Sequence, residues 1–322
     1  MKEKIKQLMD LKDRNKINWE QFKEEVNLIL DSTNETPVQS NNFNSNNNIN
    51  VNQVSQINQR PIIQSQTTDL SNQKPIVEIK NLTKHYKGRE KSAINNISFN
   101  IYEGRFHAFI GANGAGKTTT IKSIIGAYSK YKFSGQILIN GKPNDHLEVK
   151  KIIGYIPEDA KFPKKMILKD YLYVMTRLSG LSSSESKKKV NTILRDLKLE
   201  SLKNKKPYNF SSGQKKRVLL AQSLIHDPKI LIMDEPAANL DPIARHDLFD
   251  SLVNLQKQGK AIFISSHILD EIGKYANQCT ILDGGEVVFD GAIRSSDDLV
   301  NLYKQYVKKG SVDTGIVTSA NY

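Results

Sequence analysis

The 322-residue chain has a single cysteine, Cys279, and no long apolar run. One cysteine excludes an intramolecular disulfide and fits a reducing cytosol. No apolar stretch reaches the roughly 18 residues that a membrane-spanning helix needs, so we expect the chain not to cross a bilayer by itself. The N-terminal residues 1–16 contain no apolar segment of the kind found in signal peptides, so a signal peptide is not expected either.

The chain is strongly basic, with a formal net charge of +13. Two explanations are open: an anionic partner, such as nucleic acid or the inner face of a membrane, or a compositional bias toward lysine. The positive charges are spread over short clusters, such as 187–189, 203–206 and 215–217, and this favours the second explanation. Hydrophobic residues make up 38% of the chain, which allows it to bury a sizeable core.

Composition divides the chain into four regions. Residues 1–31 carry apolar side chains at helical spacing on two short segments, and this pattern resembles the SHOCT family of two-helix modules. Residues 32–74 are rich in Asn, Gln and Ser and cannot bury enough apolar surface to fold, so we predict a disordered linker. Residues 75–310 predict a single α/β domain without internal repeats. Residues 311–322 are expected to form a flexible tail.

The predicted α/β domain contains several apolar runs of strand length, with helical stretches between the later ones. These runs are 76–82, 97–101, 106–110, 152–156, 229–233, 261–265 and 279–282.

Residues 111–118 read GANGAGKT and fit the pattern G-x-x-x-x-G-K-[ST]. The run follows a predicted strand and precedes a helix predicted over 119–125, which is the context that a phosphate-binding loop requires. Its glycines let backbone N–H groups turn toward phosphate oxygens, Lys117 reaches the terminal phosphates, and Thr118 supplies a hydroxyl for Mg²⁺. The predicted nucleotide-binding residues of the loop are Gly111, Asn113, Gly114, Ala115, Gly116, Lys117, Thr118 and Thr119.

A second motif is the apolar run at 230–233 that ends in Asp234 and Glu235. Parallel α/β sheets place their ligands at the carboxyl ends of strands, so we expect Asp234 at the metal and Glu235 at an attacking water. Hydrolysis by phosphoryl transfer needs a phosphate cradle, a metal and a positioned water together. The two motifs predict all three.

Residues 210–214 read FSSGQ and precede a helix predicted over 218–226. With the two motifs above, this run resembles the ABC ATPases, whose corresponding loop is usually Leu-Ser-Gly-Gly-Gln. Ser211, Gly213 and Gln214 match that loop, while Phe210 and Ser212 depart from it. The resemblance covers residues 75 to about 300. It implies a P-loop α/β core, an antiparallel β layer near 76–106, and a helical subdomain at about 160–212.

The resemblance also implies roles for single residues. Tyr86 stands where the family has an aromatic side chain that stacks on adenine, and His267 where it has a histidine that senses the γ-phosphate. Glu158 stands where many members have glutamine, and its carboxylate can coordinate Mg²⁺ or a water. Ser211, Gly213, Gln214 and Asp241 would contribute to ATP sites across a dimer interface. The expected catalytic residues are Glu235, His267 and Lys117, and the expected metal ligands are Thr118, Glu158 and Asp234.

Two functions are compatible with these motifs. The first is the ATP-hydrolysing subunit of a transporter, and the second is a soluble ABC ATPase acting on ribosomes, nucleic acid or cofactor assembly. The first is favoured, because translation-type members usually join two such domains and repair-type members carry long coiled coils. Only the basic charge supports the second, and no specific nucleic acid is expected as a partner.

The transporter hypothesis predicts which cofactors and partners the protein has. ATP and Mg²⁺ are the expected cofactors. The expected partners are an integral membrane permease and a second ATP-binding subunit, identical or paralogous. We expect the protein at the cytoplasmic face of the cell membrane. Export is favoured over import, because sugar-importer ATPases often add a β-rich domain and too little chain follows His267 for one.

Overall fold

The computed structural model describes residues 73–88, 90–128 and 132–307, together with Leu8 and Glu25. Apart from these two residues, the described residues all belong to the compact unit Ser71–Tyr322. The predicted two-helix module apart from Leu8 and Glu25, almost all of the predicted linker, and the predicted tail lie outside the described residues. Within the described part, no helix combines the length and the hydropathy that a membrane span requires.

The first sheet has four antiparallel strands in the order β2-β1-β4-β5. Its strands are β1 (Val77–Lys84), β2 (Ile94–Ile101), β4 (Ser134–Ile139) and β5 (Lys142–Pro143). The antiparallel layer predicted near 76–106 is therefore present, and it extends further along the chain than the prediction. One face of this sheet lies on the core, so burial alternates along β1 except at Lys80 and Asn81, where the pairing register shifts.

The second sheet has six strands in the order β10-β9-β3-β8-β7-β6. Its strands are β3 (Phe106–Ile110), β6 (Ile153–Ile156), β7 (Ile230–Met233), β8 (Ala261–Ser266), β9 (Gln278–Asp283) and β10 (Glu286–Ala292). All neighbours pair in parallel except β9 and β10. Every residue of β3, β7 and β8 is buried, which explains their continuous apolar sequences.

Seven α-helices connect and flank the sheets within the described part. They are α1 (Lys117–Ile124), α2 (Leu168–Leu178), α3 (Ser183–Asp196), α4 (Ser212–Ser223), α5 (Pro242–Lys257), α6 (Leu269–Ile272) and α7 (Ser296–Tyr306). Single 3₁₀ turns lie at Leu147–Lys151, Glu200–Leu202 and Pro207–Asn209. The fold is α/β, as predicted.

An aromatic cluster joins the two sheets. Phe99 of β2 lies 5.4 Å from Phe109 of β3 and 6.0 Å from Phe263 of β8, measured between ring centroids. Offset aromatic pairs at such distances stabilise a core beyond the area that they bury. The cluster therefore fixes the antiparallel sheet on the central strands, whose carboxyl ends carry the residues of the predicted site.

Helices α2 and α3 lie next to each other between β6 and β7 in the chain. A capping box begins α3, because Ser182 accepts a hydrogen bond from the Glu185 backbone while the Glu185 carboxylate accepts one from the Ser182 backbone. The Tyr171 hydroxyl of α2 donates to Gln222 of α4 at 2.5 Å. This hydrogen bond connects the helical region to the helix that follows the FSSGQ sequence.

Candidate nucleotide-binding site

One cleft of about 800 Å³ collects most of the predicted site residues. It lies where the phosphate-binding loop meets the carboxyl ends of the parallel strands. The predicted residues that line it are Tyr86, Asn113, Gly114, Gly116, Lys117, Thr118, Thr119, Glu158, Glu235 and His267. Residues separated by as many as 181 positions in the chain (Tyr86 to His267) therefore form one site.

The remaining predicted residues do not line this cleft. Ala115 and Asp234 are buried beneath its surface, at 5% and 2% exposure, and Gly111 contributes its carbonyl to the loop. Four further residues lie elsewhere, at the start of α4 and of α5. They are Ser211, Gly213, Gln214 and Asp241.

The loop before α1 needs glycine at position 116. Gly116 has a φ of +110°, and a Cβ atom there would lie 2.6 Å from the Ala93 carbonyl oxygen. A larger residue would both strain the backbone and displace β2. With Gly116 as its N-cap, α1 begins at Lys117, and its positive end faces the cleft that Lys117, Thr118 and Thr119 line. A helix N-terminus in this position favours phosphate.

The ammonium group of Lys117 lies among oxygen atoms. Its Nζ donates to the carbonyls of Gly111 at 2.7 Å and Ala112 at 3.2 Å, and it lies 3.2 Å from Oε1 of Glu235. The lysine is 6% exposed, so its charge acts in a poorly solvated environment. A terminal phosphate oxygen would compete with Glu235 for this cation.

Glu235 lies between two basic side chains. Its Oε2 is 2.9 Å from Nδ1 of His267, and its Oε1 pairs with Lys117. Burial acts to raise the pKa of Glu235, but the hydrogen bond with His267 and the charge of Lys117 outweigh it and hold the pKa below its usual value. The side chain is therefore a carboxylate near neutral pH, which can accept a hydrogen bond or a proton from water.

Ser265 positions the acidic pair, although it belongs to none of the sequence motifs. Its Oγ accepts a hydrogen bond from the Glu235 backbone N–H at 2.8 Å and donates one to Oδ1 of Asp234 at 2.9 Å. Glu235 has a φ of +43°, a conformation that non-glycine residues adopt only when their surroundings impose it. The only sequence signal for Ser265 is a hydroxyl residue at the end of the apolar run AIFIS.

A second tyrosine orients Tyr86. The two hydroxyl groups of Tyr86 and Tyr128 lie 2.6 Å apart, and the rings meet edge to face with centroids separated by 6.3 Å. The Tyr86 hydroxyl also lies 3.3 Å from Oγ1 of Thr119, and Lys84 Nζ lies 5.0 Å from the Tyr86 ring centroid. These contacts hold the Tyr86 ring at the cleft, where a base can stack on it. Tyr128 was not predicted, because it belongs to no motif.

The FSSGQ residues have a local structural role. Ser211 accepts a hydrogen bond from the Gln214 backbone at 3.3 Å, and the Gln214 side chain accepts one from the Ser211 backbone at 3.2 Å. This capping box begins α4 at Ser212, six residues before the predicted start. A Cβ atom on Gly213 would lie 2.7 Å from Cβ of Ala244 in α5, so glycine permits the close packing of these helices.

Asp241 also has a local role, as the N-cap of α5. Its Oδ1 accepts a hydrogen bond from the Ala244 backbone at 2.9 Å. The cap satisfies one of the N–H groups at the start of the helix. Asparagine could make the same cap without the charge, so the cap and any role of the charge can be separated by experiment.

The donor set of the cleft fits a Mg²⁺ ion. The Thr118 hydroxyl and the Glu158 carboxylate line the cleft, and the Asp234 carboxylate lies just beneath it. Among the residues that the structure describes, no group of three or more His, Cys, Asp or Glu side chains could hold a metal by itself. Mg²⁺ commonly binds through one or two carboxylates together with substrate phosphates, and that arrangement agrees with these residues.

Known proteins resemble this chain over the same region. A family model described as ABC transporter matches residues 94–238. A putative ABC transporter ATP-binding protein of Mycoplasma pneumoniae is 47% identical over 223 residues, which are 69% of this chain and 68% of that protein. The Nod factor export ATP-binding protein I of Burkholderia orbicola is 30% identical over 218 residues, which are 67% of this chain and 70% of that protein.

A solved structure resembles the fold of this chain. It is the dimeric structure of a post-hydrolysis state of an ATP-binding cassette bound to ADP and Pi. It is 28% identical, with a TM-score of 0.59, and the similarity covers 67% of this chain and 98% of that one. The chain therefore belongs to the ABC transporter family, as an ATP-binding subunit that hydrolyses ATP.

Proposed function

We propose that the chain is the ATPase subunit of an exporter, which closes as a dimer around two ATP molecules and drives a separate membrane permease. One observation carries this proposal. The cleft brings together Lys117, Glu235 and His267, while the FSSGQ residues lie outside it. A second subunit could supply those residues to each cleft.

The chemistry of the cleft supports hydrolysis of the terminal phosphate. Lys117 and the N-terminus of α1 bind the β- and γ-phosphates. The Glu235 carboxylate orients a water and accepts its proton as the water oxygen attacks the γ-phosphorus and the bond to ADP breaks. His267 holds Glu235 through the hydrogen bond at 2.9 Å. Mg²⁺, bound by Thr118, Asp234 and Glu158, would neutralise charge on the phosphates.

The dimer hypothesis explains the exposed surface beside the FSSGQ residues. Ser211 is exposed, and its Oγ accepts one hydrogen bond, from the Gln214 backbone N–H. The Ser211 O–H can therefore donate a hydrogen bond to a phosphate oxygen. Ile243, two residues after Asp241, is 76% exposed, and an interface would cover it. The similar ATP-binding cassette that is dimeric with ADP and Pi supports the same arrangement. The second subunit would be an identical chain or a paralogue.

The permease would be a separate integral membrane protein, and the ATPase would lie against it at the cytoplasmic face of the membrane. The family match and the similarity to an export ATP-binding protein support a transporter, and the latter favours export. Glu158 lines the cleft and lies at the start of the connection from β6 to α2. A bound nucleotide could therefore shift the helical region by displacing Glu158.

The proposal is tested by purification of a tagged Glu235→Gln chain in mild detergent with ATP and Mg²⁺, followed by mass spectrometry. We expect a multi-spanning membrane protein in stoichiometric amount. The matched control is Lys117→Ala, which lacks the phosphate-binding ammonium and should recover no closed dimer. Recovery of only ribosomal or nucleic-acid-bound proteins would contradict the transporter proposal. Unaltered ATP hydrolysis by Glu235→Gln would contradict the role of that carboxylate.

A further inference from the structure

Lys216 is a buried lysine that none of the motifs assigns to a function. It lies in α4, five residues after Ser211, and is 7% exposed. Lysine is almost never buried to this extent unless its charge is paired. Its Nζ donates a hydrogen bond to the Pro157 carbonyl at 3.1 Å and another to the Glu158 carbonyl. Both partners are backbone atoms of a different part of the fold.

Those carbonyls belong to the loop that leaves β6. This strand ends at Ile156 in the parallel sheet, and Pro157 and Glu158 follow it directly. The Glu158 side chain lines the nucleotide cleft, while its carbonyl accepts from Lys216. The backbone and the side chain of one residue therefore connect the cleft with α4.

The surroundings of Lys216 act on its charge in opposite directions. Burial lowers the pKa of this lysine, and nearby carboxylates partly oppose that effect. They are Asp159, Glu158, Asp234 and Glu235. Asp159 and Glu158 belong to the loop that leaves β6. Asp234 and Glu235 are the acidic pair that follows β7. Carboxylates of both segments therefore offset part of the cost of burying the cation.

We propose that Lys216 is a positioning residue that couples the Glu158 loop to the start of α4. A nucleotide that moves Glu158 would move the two carbonyls, and the ammonium would carry that displacement to the helix that begins with Ser211 and Gly213. The inference rests on the proposed function, because it assigns those residues to the ATP held by the second subunit. It adds a residue that makes their position depend on the nucleotide bound in their own subunit.

The test is ATP-driven dimerisation of the Glu235→Gln chain, compared with the same chain carrying Lys216→Met or Lys216→Arg. Methionine keeps most of the side-chain volume but donates no hydrogen bond, whereas arginine keeps the charge and several donors. Two quantities are measured: binding of a fluorescent ATP analogue to the monomer, and the dimer dissociation constant at saturating ATP. Lys187→Met is the matched control, because Lys187 is an exposed lysine of α3.

We expect Lys216→Met to weaken the dimer by about tenfold, the scale of losing hydrogen bonds from a charged donor. ATP binding by the monomer should stay within about twofold of the parent, because Lys216 does not line the cleft. Lys216→Arg should restore most of the dimer affinity. The control Lys187→Met should match the parent in both measurements.

Three other outcomes are distinct. If the Glu235→Gln parent does not dimerise with ATP, the proposed function fails and not the role of Lys216. If the parent and Lys216→Met dimerise equally well, the coupling proposal is wrong. If Lys216→Met loses monomer ATP binding and thermal stability together with dimerisation, and arginine does not rescue it, Lys216 is a structural residue only. Lys216→Leu, which also donates no hydrogen bond, replaces the methionine variant in the same comparison if that variant does not fold.

Discussion

Replacement of Ser265 by alanine tests whether one hydroxyl group holds the acidic pair. Ser265 is fully buried, at 0% exposure, and links the Glu235 backbone to the Asp234 carboxylate. Alanine leaves a buried N–H without an acceptor, which costs about 1–3 kcal/mol, and removes a hydrogen bond to a charged group, worth about 1.5–3 kcal/mol. Local relaxation recovers part of both, so we expect a loss of about 3 kcal/mol in the free energy of unfolding.

The same change should reduce catalysis. The backbone of Glu235 is in a left-handed conformation at φ +43°, and the Ser265 hydroxyl is an acceptor for its N–H. Without that acceptor the carboxylate has freedom to move away from the attacking water. A displacement of about 1 Å can reduce a rate about 100-fold, so we expect kcat to fall by about 10- to 100-fold with a smaller change in KM.

The assays are urea unfolding and steady-state ATP hydrolysis. A loss of about 3 kcal/mol corresponds to a decrease in Tm of about 6–12 °C for a domain of this size. Ser223→Ala is the matched control: Ser223 is buried at 4% exposure, and its hydroxyl donates to the Leu220 carbonyl within α4 at 2.8 Å. This control should lose less than about 1 kcal/mol and keep its kcat. Equal losses of stability in both variants, with unchanged kcat in both, would refute the reasoning.

Four further predictions concern the cleft and the α4–α5 contact. His267→Ala removes the hydrogen bond that lowers the pKa of Glu235, so the pKa should rise and the acid limb of the kcat–pH profile should move to higher pH; an unmoved limb would contradict the assignment. The low native pKa of Glu235 also stabilises the fold above the ordinary glutamate pKa, and this contribution should be lost as pH falls through the native value. Tyr86→Ala should weaken ATP binding by about 1–3 kcal/mol, measured by fluorescence titration, whereas Tyr86→Phe should keep most of the affinity; equal effects would exclude stacking. Gly213→Ala places a methyl group against Ala244 and should cost about 1–3 kcal/mol of unfolding free energy, and Ala244→Gly should restore it if this contact is the cause.

The motifs with contiguous residues were predictable from the sequence. The loop at 111–118 and the pair Asp234–Glu235 are each a short contiguous segment that follows an apolar run. Their residue types and spacing are therefore visible in the sequence. The seven predicted strands are all present, because buried parallel strands have continuous apolar sequences. Phosphate chemistry and strand hydrophobicity are both local properties, and local properties can be read along a single chain.

The prediction missed three strands, β4, β5 and β10, and the two that lie at sheet edges, β5 and β10, have weak signals. Strand β5 contains only Lys142 and Pro143, and both are exposed. Strand β10 contains no fully buried residue and includes Asp290 and Gly291, which have low β-propensity. The residue composition of β10 does not predict that this strand pairs with β9. Edge strands of this kind are defined by their neighbours and not by their own residues.

The start of α4 was wrong by six residues for a different reason. Ser211 and Gln214 have the S-x-x-Q spacing of a capping box, which is a sequence signal for a helix N-terminus. The same residues were interpreted only as a phosphate clamp. The structure shows that they begin the helix in either case, so their presence in the chain does not by itself prove contact with a nucleotide.

Residues that hold the functional groups in place were the hardest to predict. Ser265, Tyr128 and Lys216 contact residues that lie 30 to 59 positions away in the chain. Their side chains carry no chemistry that the reaction consumes, and a buried serine or an isolated tyrosine has many ordinary explanations. Contacts of this kind follow from the order of the strands in the sheet. Strand β7 lies between β6 and β8, so the acidic pair at its end comes between the Pro157–Glu158 loop and Ser265.

That strand order also determines how the cleft can respond to nucleotide. The acidic pair is bonded on one side to Ser265, near the end of the fully buried strand β8. On the other side it faces a loop that is held by Lys216 of α4 and carries Glu158 into the cleft. One neighbour lies in the core, and the other is bonded to α4, whose N-terminal residues Ser211 and Ser212 are exposed. A change in charge at the phosphates would therefore displace the Glu158 loop before it displaced β8, and the displacement would be directed toward α4.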